Sequence, residues 1–159
     1  MRTRMVDVSA RELFAVVNAY PAWSERLEPG ELELMQQAPV LLRLLHRAAF
    51  DLALPPPSRH LAAAAALYLQ EPVDFLAERP NDPMGGMVDN VYVAWRAFGM
   101  LLQRHGHKAL VRLAPREEVV DGLVRSTAQL DTLAARLPPR VLDLADRYLG
   151  ITAGRAVDA

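Results

Sequence analysis

The chain predicts an all-α fold, a single-domain bundle of about six helices, and three observations carry that reading. Apolar residues recur at spacings of three and four in segment after segment. Prolines and glycines punctuate the chain between those segments. No stretch shows the apolar–polar alternation of period two that a half-buried strand needs.

Composition sets the outer bounds. The 159 residues suffice for one domain with a real core, placed at 1–150, with 151–159 as a loose tail. A formal net charge of −1 gives no global field toward nucleic acid or an acidic membrane. With no cysteine, disulfides and thiolate metal sites are excluded, which suits the cytoplasm. The basic start Met1-Arg2-Thr3-Arg4 has no apolar run behind it, so it does not read as a secretory signal. Leu61–Leu69 is far short of the about 20 residues that span a bilayer, and Met87–Leu102 is interrupted by Asp89, Asn90 and Arg96.

The elements follow in order. Ser9 and Glu12 make a capping box, Leu13, Phe14, Val16, Val17 and Tyr20 share a face, and Pro21 stops that helix. Trp23 in the next turn reads as a core plug. A second helix begins near Glu31, and Pro39 either kinks it or opens a new one. Val40, Leu41, Leu44, Leu45, Ala48 and Leu52 form its apolar face, with His46 among them as a structural histidine. Pro55-Pro56-Pro57 ends it, Ser58 caps the next helix, and Pro72 closes that one near Gln70.

A helix from Val88 or Asp89 to His105 presents Val91, Trp95, Phe98 and Leu102 inward, and Gly106 terminates it. Pro115 then opens a long helix to Leu137, whose near-heptad seam of Val119, Leu123, Leu130, Leu133 and Leu137 offers a dimer interface. After Pro138-Pro139, Val141, Leu142, Ala145, Tyr148 and Leu149 mark a last helix that stops at Gly150.

The 58–105 stretch carries the densest pattern. Tyr68, Pro72 and Asp74 end its first apolar segment, and Gly86, Asp89 and Asn90 open its second. On these residues the chain resembles the bacterial YkvA-like family, a domain of unknown function. That family's core is an apolar helix ending in Tyr, then Pro-x-Asp, a Pro-containing loop, and Gly-x-x-Asp-Asp before a second apolar helix. Asn90 stands where the family has its second Asp, and Leu76-Ala77-Glu78 replaces Ile-Pro-Asp. The resemblance implies a helical hairpin core and, since some members associate with membranes, peripheral membrane contact. It implies no established activity.

Three candidate sites follow. Asp74, Glu78, Asp82, Asp89 and Asn90 offer hard oxygen ligands suited to magnesium, calcium or manganese if the loop folds back, with Asp74, Asp89 and Asn90 as the metal set. The plainer reading makes Asp89 a helix cap and Asp74 a turn residue. Arg104, Lys108, Arg112 and Arg116, spaced by four in a segment without acids, form an anion-binding stripe if the helix runs through Gly106. Otherwise they are a solvated face that pairs with acids elsewhere, such as Glu28–Glu33. His105 and His107 can share a zinc or nickel ion, but a site needs at least one more ligand and the sequence shows no obvious partner, so placement at the negative end of a helix accounts for them.

No serine sits in a nucleophile elbow and no glycine-rich loop forms a phosphate cradle, so no complete catalytic set is present and no cofactor is implied beyond a divalent cation. The leading expectation is a non-enzymatic interaction or scaffold module that meets a protein partner or a second copy of itself. The alternatives are a metal- or phosphate-dependent enzyme using Asp74 and Asp89, and binding of an anion, nucleic acid or membrane surface through the Arg104–Arg116 basic stripe.

Overall fold

Proline chemistry sets the first boundaries. In the computed structural model, which describes residues 27–70 and 85–150, helices α1 (Pro29–Gln36) and α2 (Ala38–Phe50) each carry a proline in the first two positions. A proline there loses no intrahelical hydrogen bond. Pro39 therefore opens a new helix. Gln37 makes the joint, its backbone N–H donating to the carbonyls of Glu33 and Met35 at the end of α1.

Helix α2 ends at Phe50, before the proline run is reached. Asp51 leaves helical backbone, and its Oδ1 accepts the Ala53 N–H at 2.9 Å, an Asx turn that competes with further helix. Leu52 consequently falls off the apolar face and is 83% exposed.

Helix α3 (Pro56–Gln70) starts on the Pro55 carbonyl, which accepts the N–H groups of Ser58 and Arg59. Ser58 is thus the third helical residue and not the cap. Its buried hydroxyl meets His105 instead. The described part of the helix runs to Gln70, and Pro72, expected to close it, lies outside the described residues. Buried Ala62, Ala65 and Ala66 let it lie close against α2 and α4.

Helix α4 (Gly85–Val111) contacts every other described helix. It begins four residues before Asp89, so Asp89 is an interior helical residue and caps nothing. Val91, Trp95 and Phe98 are fully buried, while Leu102 is half-buried. The Trp95 indole donates to the Leu34 carbonyl at 3.1 Å and meets Phe98 edge-on at 5.8 Å, which anchors α4 to α1. At Gly106 the backbone turns to φ 79°, ψ 171°, a conformation open essentially to glycine alone. One more helical turn follows it.

The single long helix expected from Pro115 to Leu137 is broken in three. Helix α5 (Glu117–Ser126) runs into a 3₁₀ turn at Thr127–Gln129 and then the short α6 (Leu130–Ala134). A hydroxyl sits at the break. The Ser126 hydroxyl donates away from the helix to Glu33 at 2.8 Å, while the neighbouring Thr127 Oγ1 donates to the Val124 carbonyl at 2.5 Å. Such back-bonding draws carbonyls off the helical ladder and bends the chain. The expected dimer seam disappears with the helix, since Leu123, Leu133 and Leu137 are buried in the protein's own core. Asp121-Gly122, a pair common in hairpin turns, sits inside α5.

Helix α7 (Pro139–Tyr148) buries Val141 and Ala145, and Gly150 at φ 71° ends it. Arg96 ties it to α4 through Asp146 at 3.1 Å. Glu31, almost wholly buried, pairs with Arg136 beyond α6 and fastens α1 there. The described residues form an all-α bundle around one contiguous core, with no strand among them. The expected helix at Ser9–Tyr20, Trp23, the loop through Pro72, Asp74, Glu78 and Asp82, and the tail 151–159 lie outside the described residues.

Candidate functional site

The outward face of α2 makes half of a groove. Val40, Arg43, Leu44 and Arg47 recur at i, i+3, i+4 and i+7, which places them on one side of the helix. The connection from α4 to α5 supplies the other half through Leu113, Ala114 and Pro115, with Val119 from the first turn of α5. Between them lies a groove of ≈ 350 Å³. Its walls are mostly apolar, and Val40 stays 37% exposed within it. Arg47 holds the two walls in register by donating to the Leu113 carbonyl at 3.0 Å. Arg43 and Arg47 give the lining a positive sign, and exposed Arg116 adjoins Pro115 at the same end.

The basic stripe expected at Arg104, Lys108, Arg112 and Arg116 does not form one ridge. Gly106 breaks the helix between the first two, and Arg116 precedes α5 in extended backbone. All four are exposed. Arg112 pairs with Asp51 at 3.3 Å, which identifies its acidic partner as Asp51 rather than Glu28–Glu33. Two of those glutamates are used elsewhere, Glu31 by Arg136 and Glu33 by Ser126 Oγ at 2.8 Å.

In the hairpin, Tyr68 and Asp89 meet. The Tyr68 hydroxyl donates to Asp89 Oδ2 at 2.7 Å with Asp89 fully buried. This bond joins the end of α3 to the start of α4, across the two halves of the sequence pattern. Tyr148 packs on Tyr68 with ring centroids 5.0 Å apart and donates its own hydroxyl to the Ala64 carbonyl. Asp89 is therefore held inside the packing, Asn90 beside it is half-buried, and Asp74 lies outside the described residues. Gly86 sits in the first turn of α4.

The two histidines around Gly106 part company. His105 Nε2 lies 2.6 Å from Ser58 Oγ, whose burial leaves that hydroxyl no access to a substrate. His107 Nε2 lies 2.6 Å from Asp121 Oδ1 across the α4–α5 junction. With Glu117 one helical turn earlier, one ligand atom from each of the three falls within 4.8 Å of the others. The sequence reading named no third group beside His105 and His107, because Glu117 and Asp121 come from the next helix. Their i, i+4 spacing was the available signal. His46 is structural, half-buried with its ring 5.1 Å from Phe50.

No family model matches the chain, and no curated protein or solved structure is similar to it. Among the described residues no helix is long and apolar enough to cross a membrane.

Proposed function

We propose that the protein is an interaction module whose α2/α4–α5 groove receives an acidic, amphipathic helix of a partner protein. The single observation behind this is the groove itself, a mostly apolar cleft whose charged lining residues are both arginines. Apolar anchors of a partner helix would fill the space between Val40, Leu44, Leu113 and Val119, the mode in which a helix lies in a hydrophobic groove. Carboxylates flanking those anchors would meet Arg43, Arg47 and Arg116, and this complementarity sets the orientation and excludes basic segments. The likeness of the Tyr68–Asp89 hairpin to the YkvA-like family belongs to the same proposal, with the hairpin as the rigid support behind α2.

Two matched libraries of short amphipathic helices test it, one with Leu and Phe anchors flanked by Glu and the other flanked by Lys. The acidic set should be enriched on the full chain. Val40→Glu should weaken the selected peptide about tenfold or more by placing a like charge in its seat. Equal enrichment of the basic set, or binding indifferent to Val40→Glu, overturns the reading. A dimer of the parent that Val40→Glu dissociates assigns the groove to a second copy and also overturns it.

A further inference from the structure

We infer that His107, Glu117 and Asp121 form a binding site for a first-row transition metal dication, with zinc as the representative ion. The site is built by the backbone. Gly106, at φ 79°, turns the chain so that His107 leaves the line of α4 and reaches α5. Glu117 and Asp121 project from adjacent turns on one face of α5 toward it. His107 and Asp121 keep 36% and 42% of their side chains exposed, so an ion has an entry path and water can complete its shell.

The donor set selects the ion. Imidazole nitrogen suits zinc, iron, nickel and copper, whereas magnesium and calcium favour all-oxygen shells. One nitrogen and two carboxylates supply three ligands and leave a fourth tetrahedral position to water. Ligands about 2.1 Å from zinc in tetrahedral array stand about 3.4 Å apart. The three atoms here already lie within 4.8 Å of one another, so side-chain rotation suffices to close the site. The His107–Asp121 contact at 2.6 Å opens slightly, and the ion takes the position between them.

Such an ion closes the 107–121 segment into a loop. Leu113, Ala114, Pro115 and Val119, one whole wall of the groove, lie inside that loop. Resting on the groove reading, the ion would then stiffen the docking wall and raise affinity for the acidic peptide.

Metal binding is tested first and without any peptide. Zinc is titrated calorimetrically into the full chain, and cobalt is followed by its visible absorption. The expected result is one ion per chain, with affinity reduced tenfold or more in His107→Ala and in Glu117→Gln. Glu117→Gln leaves the His107–Asp121 pair intact, so its fold is not in question. His60→Ala, an exposed histidine outside the cluster, should bind as the parent does. No binding by the parent, binding that survives both cluster variants, or binding lost in His60→Ala overturns the site. Zinc bound as expected with no change in peptide affinity leaves the site standing and removes its link to the groove.

Discussion

Tyr68 and Asp89 show what a single hydrogen bond decides in this protein. Asp89 is fully buried, so its carboxylate depends on donors from the protein, and the Tyr68 hydroxyl at 2.7 Å is one of them. Tyr68→Phe keeps the ring packing and removes that donor. It should cost about 1–3 kcal/mol in denaturant unfolding, whereas loss of an exposed hydroxyl would cost almost nothing. Tyr92 makes a second case. Burial pushes its phenol above the ordinary value of 10.0, Asp146 and Asp131 push the same way, and Arg96 opposes them. The unfolded chain therefore releases this proton at lower pH than the folded one. The contribution of Tyr92 is intact below pH 10.0 and is lost as pH rises through the folded value. Thermal unfolding scanned from about pH 9 to about 11 should show a fall that is shallower in Tyr92→Phe.

Helix ends and breaks belong to the next scale, and two glycines of α4 give predictions of opposite sign. A Cβ at Gly99 meets nothing within 4 Å, and its backbone is helical. Gly99→Ala should stabilise by about 0.5–1 kcal/mol. Gly106 also has open space, but its φ of 79° excludes a side chain on conformational grounds. Gly106→Ala should destabilise by about 1–3 kcal/mol and disturb His107 with it. Unfolding midpoints of the two variants, compared with the parent, check both signs.

The elements that could be read from the sequence were those with a steric signal. Pro39, Gly106 and Gly150 each mark a boundary or break, and the Trp95–Phe98 stripe is buried as its spacing predicts. The break at Ser126-Thr127 was hidden because hydroxyl back-bonding depends on rotamers and neighbours, not on spacing. The extent of α2 was missed for a similar reason, since Asp51 ends it through a local turn before the prolines act. Of the candidate sites, His107 was visible, but its partners come from another helix. The groove was invisible, because Leu113–Val119 meets Val40–Arg47 only through tertiary packing.

At the largest scale, α4 is the shaft and the other described helices pack around it. That arrangement leaves the outer face of α2 opposite the α4–α5 connection, where apolar residues stay open and arginines line the gap. Core and groove share Leu44 and Leu113, but Leu41 and Leu45 of α2 face inward at 0% exposure while Val40 and Arg43 face the groove at the surface. A surface variant can then change docking without disturbing the fold. The central claim is that this face receives an acidic amphipathic helix. Nitrogen–proton correlation NMR of the full chain, titrated with the selected acidic peptide, tests it most directly. Shifts gathered at Val40, Leu44, Leu113, Ala114 and Val119, and absent in Val40→Glu, are the predicted result. Shifts scattered over the surface, or gathered at Leu67 and Leu144 away from the groove, would contradict it.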